Sequence, residues 1–311
     1  MSKYLQNLKG QQNQVLTRLA FSYKFGGFVG FSLFPIIRHP VDSGKIAIFK
    51  KQNQVSNYKR ALGALSKRIV DDVEGFKDFT INEESLEHPV DDREWMNAID
   101  PMKAKLLSEK GKLKVLQNEL AMSIEYRQAT LATDPANFDN KDALSGTSQF
   151  SHTDSDPIKK IEEIKQTVAD EINCKPEELT LLISSPVWQV IKNHSKLLER
   201  IKYTDRGIIT ENIGKEIFEV KNLIIGRATH SHGETKESMW GNNIICCYVP
   251  ETIESIEEPV FGATVRQEGY PIVLSYREER SSSTVTQYKD ALEPVIVNSK
   301  AGFLLQNCIA E

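Results

Sequence analysis

Between Met102 and Thr130 the chain spells out one long helix, and a rod of that length restricts every other element. Met102, Leu106, Leu113, Leu116, Leu120 and Ile124 recur at steps of three, four and seven, which keeps them on one side of a 3.6-residue helix. Asp100 and Pro101 form a start signal, an N-cap followed by proline at the first helical position. Gly111 is the weak point, worth ~1 kcal/mol against alanine. At 1.5 Å per residue the rod is ~45 Å long. That exceeds the width of a small domain, so the helix must lie across something extended. A coiled coil is the competing reading, but the stripe breaks at Glu109 and Lys110.

Composition then narrows the class. The 311 residues are 40% hydrophobic and 26% charged, ordinary for a globular protein with room for two domains. A net charge of −4 argues against a strongly basic nucleic-acid binder while leaving local basic patches open. No run of 18 apolar residues exists, and Met1 to Gln14 is polar, without the apolar core of an export signal. The four cysteines are therefore expected reduced in a cytoplasm. Cys246 and Cys247 sit in the apolar run Ile244 to Val249 and read as buried strand thiols.

Along the chain, Phe25-Gly26-Gly27-Phe28-Val29-Gly30 makes a poor core but a good arm to lay on a neighbour. Lys45 to Phe49 alternates like a strand, and Phe79 to Asn82 is a second candidate. Residues 40–90 read as a long excursion too polar to build its own core, with Tyr58, Leu62, Leu65 and Ile69 spaced for a short amphipathic helix. Residues 134–156 read as loop. Asp156-Pro157 starts a second helix with the stripe Ile158, Ile161, Ile164, Val168, Ile172. Residues 178–250 read as an α/β unit, with strands at 179–183, 222–228 and 244–249 and a polar loop at 230–243. Residues 260–310 are β-rich, with strands at 272–277, 284–288, 294–297 and 301–305.

Signatures of chemistry are absent from this sequence: no phosphate-binding G-x-x-x-x-G-K-[ST], no G-x-G-x-x-G after a strand, no H-E-x-x-H, no G-x-S-x-G. His230 and His232, with Glu234 and Glu237, make the best metal candidate, although solvated histidine is the default in a polar loop. Asp71-Asp72 and Asp91-Asp92 read as a solvated loop and a helix N-terminus favouring negative charge, and Ser184 and Ser185 as caps before Pro186. No enzyme and no cofactor are expected. A chain of enzyme size without a site, carrying two non-compact arms, points to assembly with copies of itself. The contact candidates are Phe25, Phe28 and Phe34 in the first arm. Ile46, Ile48, Phe49, Tyr58 and Leu62 are those of the excursion.

A family resemblance spans the chain from about Leu33 to Ile309. Leu33-Phe34-Pro35-Ile36-Ile37 with Ser43-Gly44-Lys45-Ile46, and Leu86-Glu87-His88-Pro89-Val90-Asp91-Asp92-Arg93, flank the excursion. Leu182-Ile183-Ser184-Ser185-Pro186-Val187-Trp188, Leu223-Ile224-Ile225-Gly226-Arg227-Ala228 and Ala301-Gly302-Phe303-Leu304 follow. Together these resemble a tailed-bacteriophage major capsid protein of the HK97-fold family. The resemblance implies an α+β fold with an N-terminal arm at 1–40 and an extended loop at 41–90. It further implies a peripheral domain with a spine helix at 91–177, an axial domain at 178–258, and peripheral return strands at 259–311. It implies pentamers and hexamers of an icosahedral shell around double-stranded DNA, in the virion and, during assembly, the host cytoplasm. Portal, scaffold and decoration proteins would be partners, the scaffold being a separate chain, and no membrane is involved. Some members cross-link a loop lysine to an asparagine; Lys50 or Lys51 with Asn298 or Asn307 would fill those roles. An encapsulin-like cargo shell is the same-fold alternative, and a metal-dependent enzyme using His230 and His232 the different-class one.

Overall fold

The computed structural model describes residues 12–21, 27–49, 59–60, 62, 65–66, 73–202, 209–233, 235–250 and 260–310. In chain order, helices α1 (Gln14–Phe21) and α2 (Gly30–Leu33) lead into strands β1 (Ile36–His39) and β2 (Ser43–Phe49). Strands β3 (Val73–Thr80) and β4 (Glu83–Asp91) and the short helix α3 (Arg93–Met96) precede the long helix α4 (Pro101–Thr133). Strand β5 (Asn140–Ala143) and helix α5 (Pro157–Ile172) follow. Then come β6 (Leu179–Ser184), α6 (Ser185–Ile191), α7 (Ser195–Ile201), α8 (Glu211–Phe218), β7 (Asn222–Gly226), β8 (Thr229–His232) and β9 (Thr235–Ser238). The chain ends with β10 (Ile244–Tyr248), β11 (Gly262–Gln267), β12 (Ile272–Glu278), β13 (Ser283–Ile296) and β14 (Gly302–Gln306).

The long helix runs unbroken through Gly111 for 33 residues. Asp100 caps it, accepting the Lys103 N–H at 3.2 Å, and Asp156 caps α5 through the Lys159 N–H at 3.1 Å. Leu113, Leu116, Leu120 and Ile124 pack on Val273, Tyr288 and Leu292, strand residues of the same chain. The stripe does not bury along its whole length: Met102 is 77% and Leu106 37% exposed, bordering an open groove beside Ser275 of β12.

Two five-stranded sheets flank this axis. One runs β1-β11-β13-β12, with β4 also on β13. β13 is a single 14-residue strand where the sequence suggested two. It passes through Pro294 because the opposing Thr264 N–H is taken by Pro35 O at 3.0 Å, so the missing proline N–H leaves nothing unpaired there. Among the described residues β4 bonds only to β13, and such an edge tolerates Pro89. The other sheet runs β5-β14-β10-β6-β7. Its centre is buried on both faces, as the apolar runs of β6 and β10 require.

Several expectations are corrected. Residues 302–306 pair with β10 and β5, not with the strands of 262–296. Gly302 permits this, since a Cβ there would meet the Phe261 and Phe138 rings at 2.5 and 2.9 Å. Residues 140–143, read as loop, form the parallel edge strand beside β14. Residues 14–21 are anchored to their own subunit: Leu16 and Ala20, one turn apart, bury against the long helix, and Thr17 bonds to Val273, while Val15 and Phe21 stay exposed. Ser184 occupies the N-cap of α6 but makes no side-chain capping bond. Tyr58 and Ile69 of the amphipathic segment lie outside the described residues, while Leu62 and Leu65 are exposed.

A Cβ at Gly111 would meet nothing within 4 Å. Gly111→Ala is expected to raise unfolding free energy by ~1 kcal/mol through helix propensity and a smaller unfolded-state entropy. Urea titration of the two proteins measures it, and an unchanged midpoint refutes it.

Candidate assembly surface

Strands β2 and β3 pair only with one another among the described residues and project from the first sheet as a hairpin. Their root is held: Ile46, Phe79 and Ile81 are buried with Ile37, Tyr270, Ile272 and Leu274. Gly44 allows the close approach, since its Cβ would sit 2.9 Å from the Phe79 ring. Toward the outer end Phe76 is 65% exposed and Lys45 pairs with Asp78 across the strands at 3.6 Å, a solvated contact of small energy. Both strands of the hairpin therefore rise from a fixed base.

The contact candidates divide accordingly. Phe34 and Ile46 are fully buried in their own subunit, which corrects their reading as contacts; the apolar pattern could not tell an internal seat from an external one. Phe28 is half-buried against the main core. Leu62 is exposed. Ile48 and Phe49 lie on β2 beyond the described side chains, and Phe25 and Tyr58 lie outside the described residues.

Behind this surface the long helix carries a buried polar network. Glu125, 0% exposed, accepts the Gly30 N–H at 2.6 Å, the Val29 N–H at 3.2 Å and the Trp240 Nε1–H at 3.0 Å. One carboxylate thus joins α2, the long helix and the turn after β9. Burial pushes the Glu125 carboxyl above its ordinary range, opposed by those three donors. Arg127, two residues on, forks between Glu84 of β4 and Glu293 of β13, the latter at 2.8 Å. Desolvation raises both carboxyls, and their mutual repulsion adds to it at Glu293. Arg266 and Asp290 form a bidentate pair at 3.1 and 2.7 Å, and Tyr288 OH donates to the same carboxylate at 2.9 Å. Sequence periodicity missed Glu125, Gln128 and Gln117. The available signal was polar side chains on the buried side of an otherwise apolar stripe.

His230 and His232 are in the short hairpin β8–β9 rather than in a loop. His230 faces Glu237 in register and its ring lies 5.2 Å from that of Tyr126. Among the described residues no group of three or more His, Cys, Asp or Glu is disposed to hold a metal. Cys246 and Cys247 are buried, and burial pushes the Cys246 thiol up to about 12 and Cys247 well above its ordinary value, which keeps both as inert thiols. Asp92 stands at the N-terminus of α3, as the sequence suggests; it makes no side-chain capping bond there, is buried and pairs with Arg277 at 2.8 Å.

Comparison with known proteins places this geometry. No family model matches the chain. A protein named major capsid protein, from Burkholderia phage BcepMu, is 32% identical over 299 residues, covering 94% of each chain. The crystal structure of a phage-related protein from Bordetella bronchiseptica superposes with a TM-score of 0.80 at 29% identity, covering 96% of this chain and 97% of that one. The capsid of cyanophage P-SCSP1u shares the fold at a TM-score of 0.56 and 12% identity, covering 92% and 89%. The α+β architecture is that of HK97-like capsid subunits.

Glu125→Gln is expected to destabilise the subunit by ~2 kcal/mol, because an amide NH2 must then face buried N–H donors. The raised carboxyl also implies a sign for pH. The folded protein keeps this proton to higher pH than the unfolded chain, so its contribution to stability is greatest in acid and declines as pH rises through the folded value. The variant should flatten that part of the stability–pH profile. Equal slopes in the two proteins would contradict the assignment.

Proposed function

The chain belongs to the phage major capsid protein family, and from that premise we propose that it assembles into pentamers and hexamers of an icosahedral shell enclosing double-stranded phage DNA. The observation that carries the reading is the hairpin β2–β3: a root buried in its own subunit, leading to residues 50–72. Leu62 and Leu65, described apolar residues of that stretch, are exposed, which fits a strap across a neighbouring copy. The first sheet with the long helix is the peripheral domain and the second sheet with α5 to α8 the axial domain, with β5 and β14 belonging to the latter. The described part of the N-terminal segment is stapled to its own subunit through Leu16 and Ala20, and its exposed Val15 and Phe21 are the side chains that would meet a neighbour. Scaffold, portal and decoration proteins are the further partners, and the virion is the site of action. An encapsulin-like cargo shell is less favoured, because the 32% identical relative is a phage protein along nearly its full length.

Two experiments test this. Purified protein, alone or with a scaffold, should form closed particles in electron micrographs, and native particles should contain DNA; a monomer under every condition would refute it. Replacing residues 50–72 with a short Gly/Ser turn spares both hairpin strands, so the subunit should stay folded by circular dichroism while particles disappear. Normal shells from that variant would remove the strap role.

A further inference from the structure

The long helix leaves one line of side chains uncovered. Residues 101–115 hold Lys103, Lys105, Lys110, Lys112 and Lys114 and a single acid, Glu109, in a chain with net charge −4. Glu109 is buried and accepts from Ser275 Oγ at 3.4 Å, so it faces the sheet and does not neutralise the outer surface. Lys103, Lys110 and Lys114 follow at steps of seven and four, which sets them on one line ~17 Å long. All three are exposed, and none forms an ion pair among the described residues. Lys112 lies on the flank, and Lys105 sits 5.0 Å from the centre of the Trp95 ring.

The opposite side of the first sheet exposes acidic side chains. Val273 of β12 packs toward the helix, so the alternate residues Leu274, Tyr276 and Glu278 point away from it. There Tyr276 OH donates to Glu87 at 2.8 Å, and Glu87 and Glu278 are exposed. The exposed acids on that side contrast with the lysine line, which directs a positive field outward from the helix.

Lysine is used throughout this stretch and arginine not at all. Compact ammonium charges on flexible stems suit sequence-independent phosphate contact, not forked recognition of one carboxylate. An acidic amphipathic helix would need apolar anchors on the same line. Leu107 is the large apolar side chain on that line, while Met102 and Leu106 border an open groove beside it, together with Lys103, Lys105 and Ser275. We infer that the face of Lys103, Lys110 and Lys114 is the surface that meets the phosphate backbone of double-stranded DNA. The inference rests on the reading of the chain as a DNA-enclosing shell protein and assigns the inward side of the subunit.

The test is a titration of full-length subunit with a mixed-sequence duplex of about 30 base pairs between about 50 and about 200 mM NaCl. Each lysine that contacts phosphate contributes ~0.9 to the slope of log affinity against log salt. Lys103→Ala/Lys110→Ala/Lys114→Ala should lower the slope by ~3, each single substitution by ~1, and the triple arginine variant should keep it. Thermal melts establish that the variants fold, and the single variants carry the test if the triple does not. An unchanged slope, or no duplex binding by the wild type at the lowest salt, overturns the inference. Duplex binding that survives the triple substitution while a poly-glutamate peptide is lost would overturn it in favour of an acidic protein partner. Particle formation is scored separately by electron microscopy, so failure of the shell reading and failure of this surface give different results.

Discussion

Three backbone and indole N–H groups, drawn from segments 95 and 115 residues away, converge on the carboxylate of Glu125. An acceptor-only group with two oxygens is the side chain that can satisfy all three at once, in a place where water cannot substitute. The long helix is thereby the common axis of the subunit, holding the entry segment at Gly30 on one side and the turn at Trp240 on the other. Gly30 itself has no room for a side chain, because a Cβ would lie 2.0 Å from Gln128 Oε1 and 2.7 Å from Glu125 Oε2. Close backbone approach and buried charge are one feature seen from its two ends.

Around that axis the ionisable groups are sorted by depth. Arg127 with Glu84 and Glu293, and Arg266 with Asp290, tie the helix and strands of the first sheet together. Removing one partner of such a pair strands a buried charge, which costs more than the pair contributes, so these contacts favour one arrangement over alternatives. The exposed charges do something different. Lysines lined along the uncovered side of the long helix set how the subunit meets its surroundings and add little to stability.

The legible part of the fold was whatever depended on neighbours in sequence. Asp100-Pro101 and Asp156-Pro157 marked two helix starts that both exist, since an N-cap bond spans three residues. The stripes of α4 and α5 and the apolar runs of β6 and β10 were read from period alone. The candidate surface was less legible. Phe34 and Ile46 carry the same apolar signal whether they meet their own core or a neighbour, and only the folded chain buries them at home. The strand at 140–143, short and polar, exists because Leu304 and its neighbours on β14 offer it an edge.

The sequence by itself determined a long capped helix, an α+β class, the absence of the common catalytic signatures and a hairpin too polar to be a core. Each follows from spacing or composition within a few residues. Tertiary structure alone decided that β14 joins β10, that Leu16 and Ala20 staple the N-terminal segment to its own helix, and that Glu125 lies at the junction of three segments. Those outcomes depend on burial and hydrogen-bond partners contributed from as far as 115 residues away, and no local pattern encodes the partner.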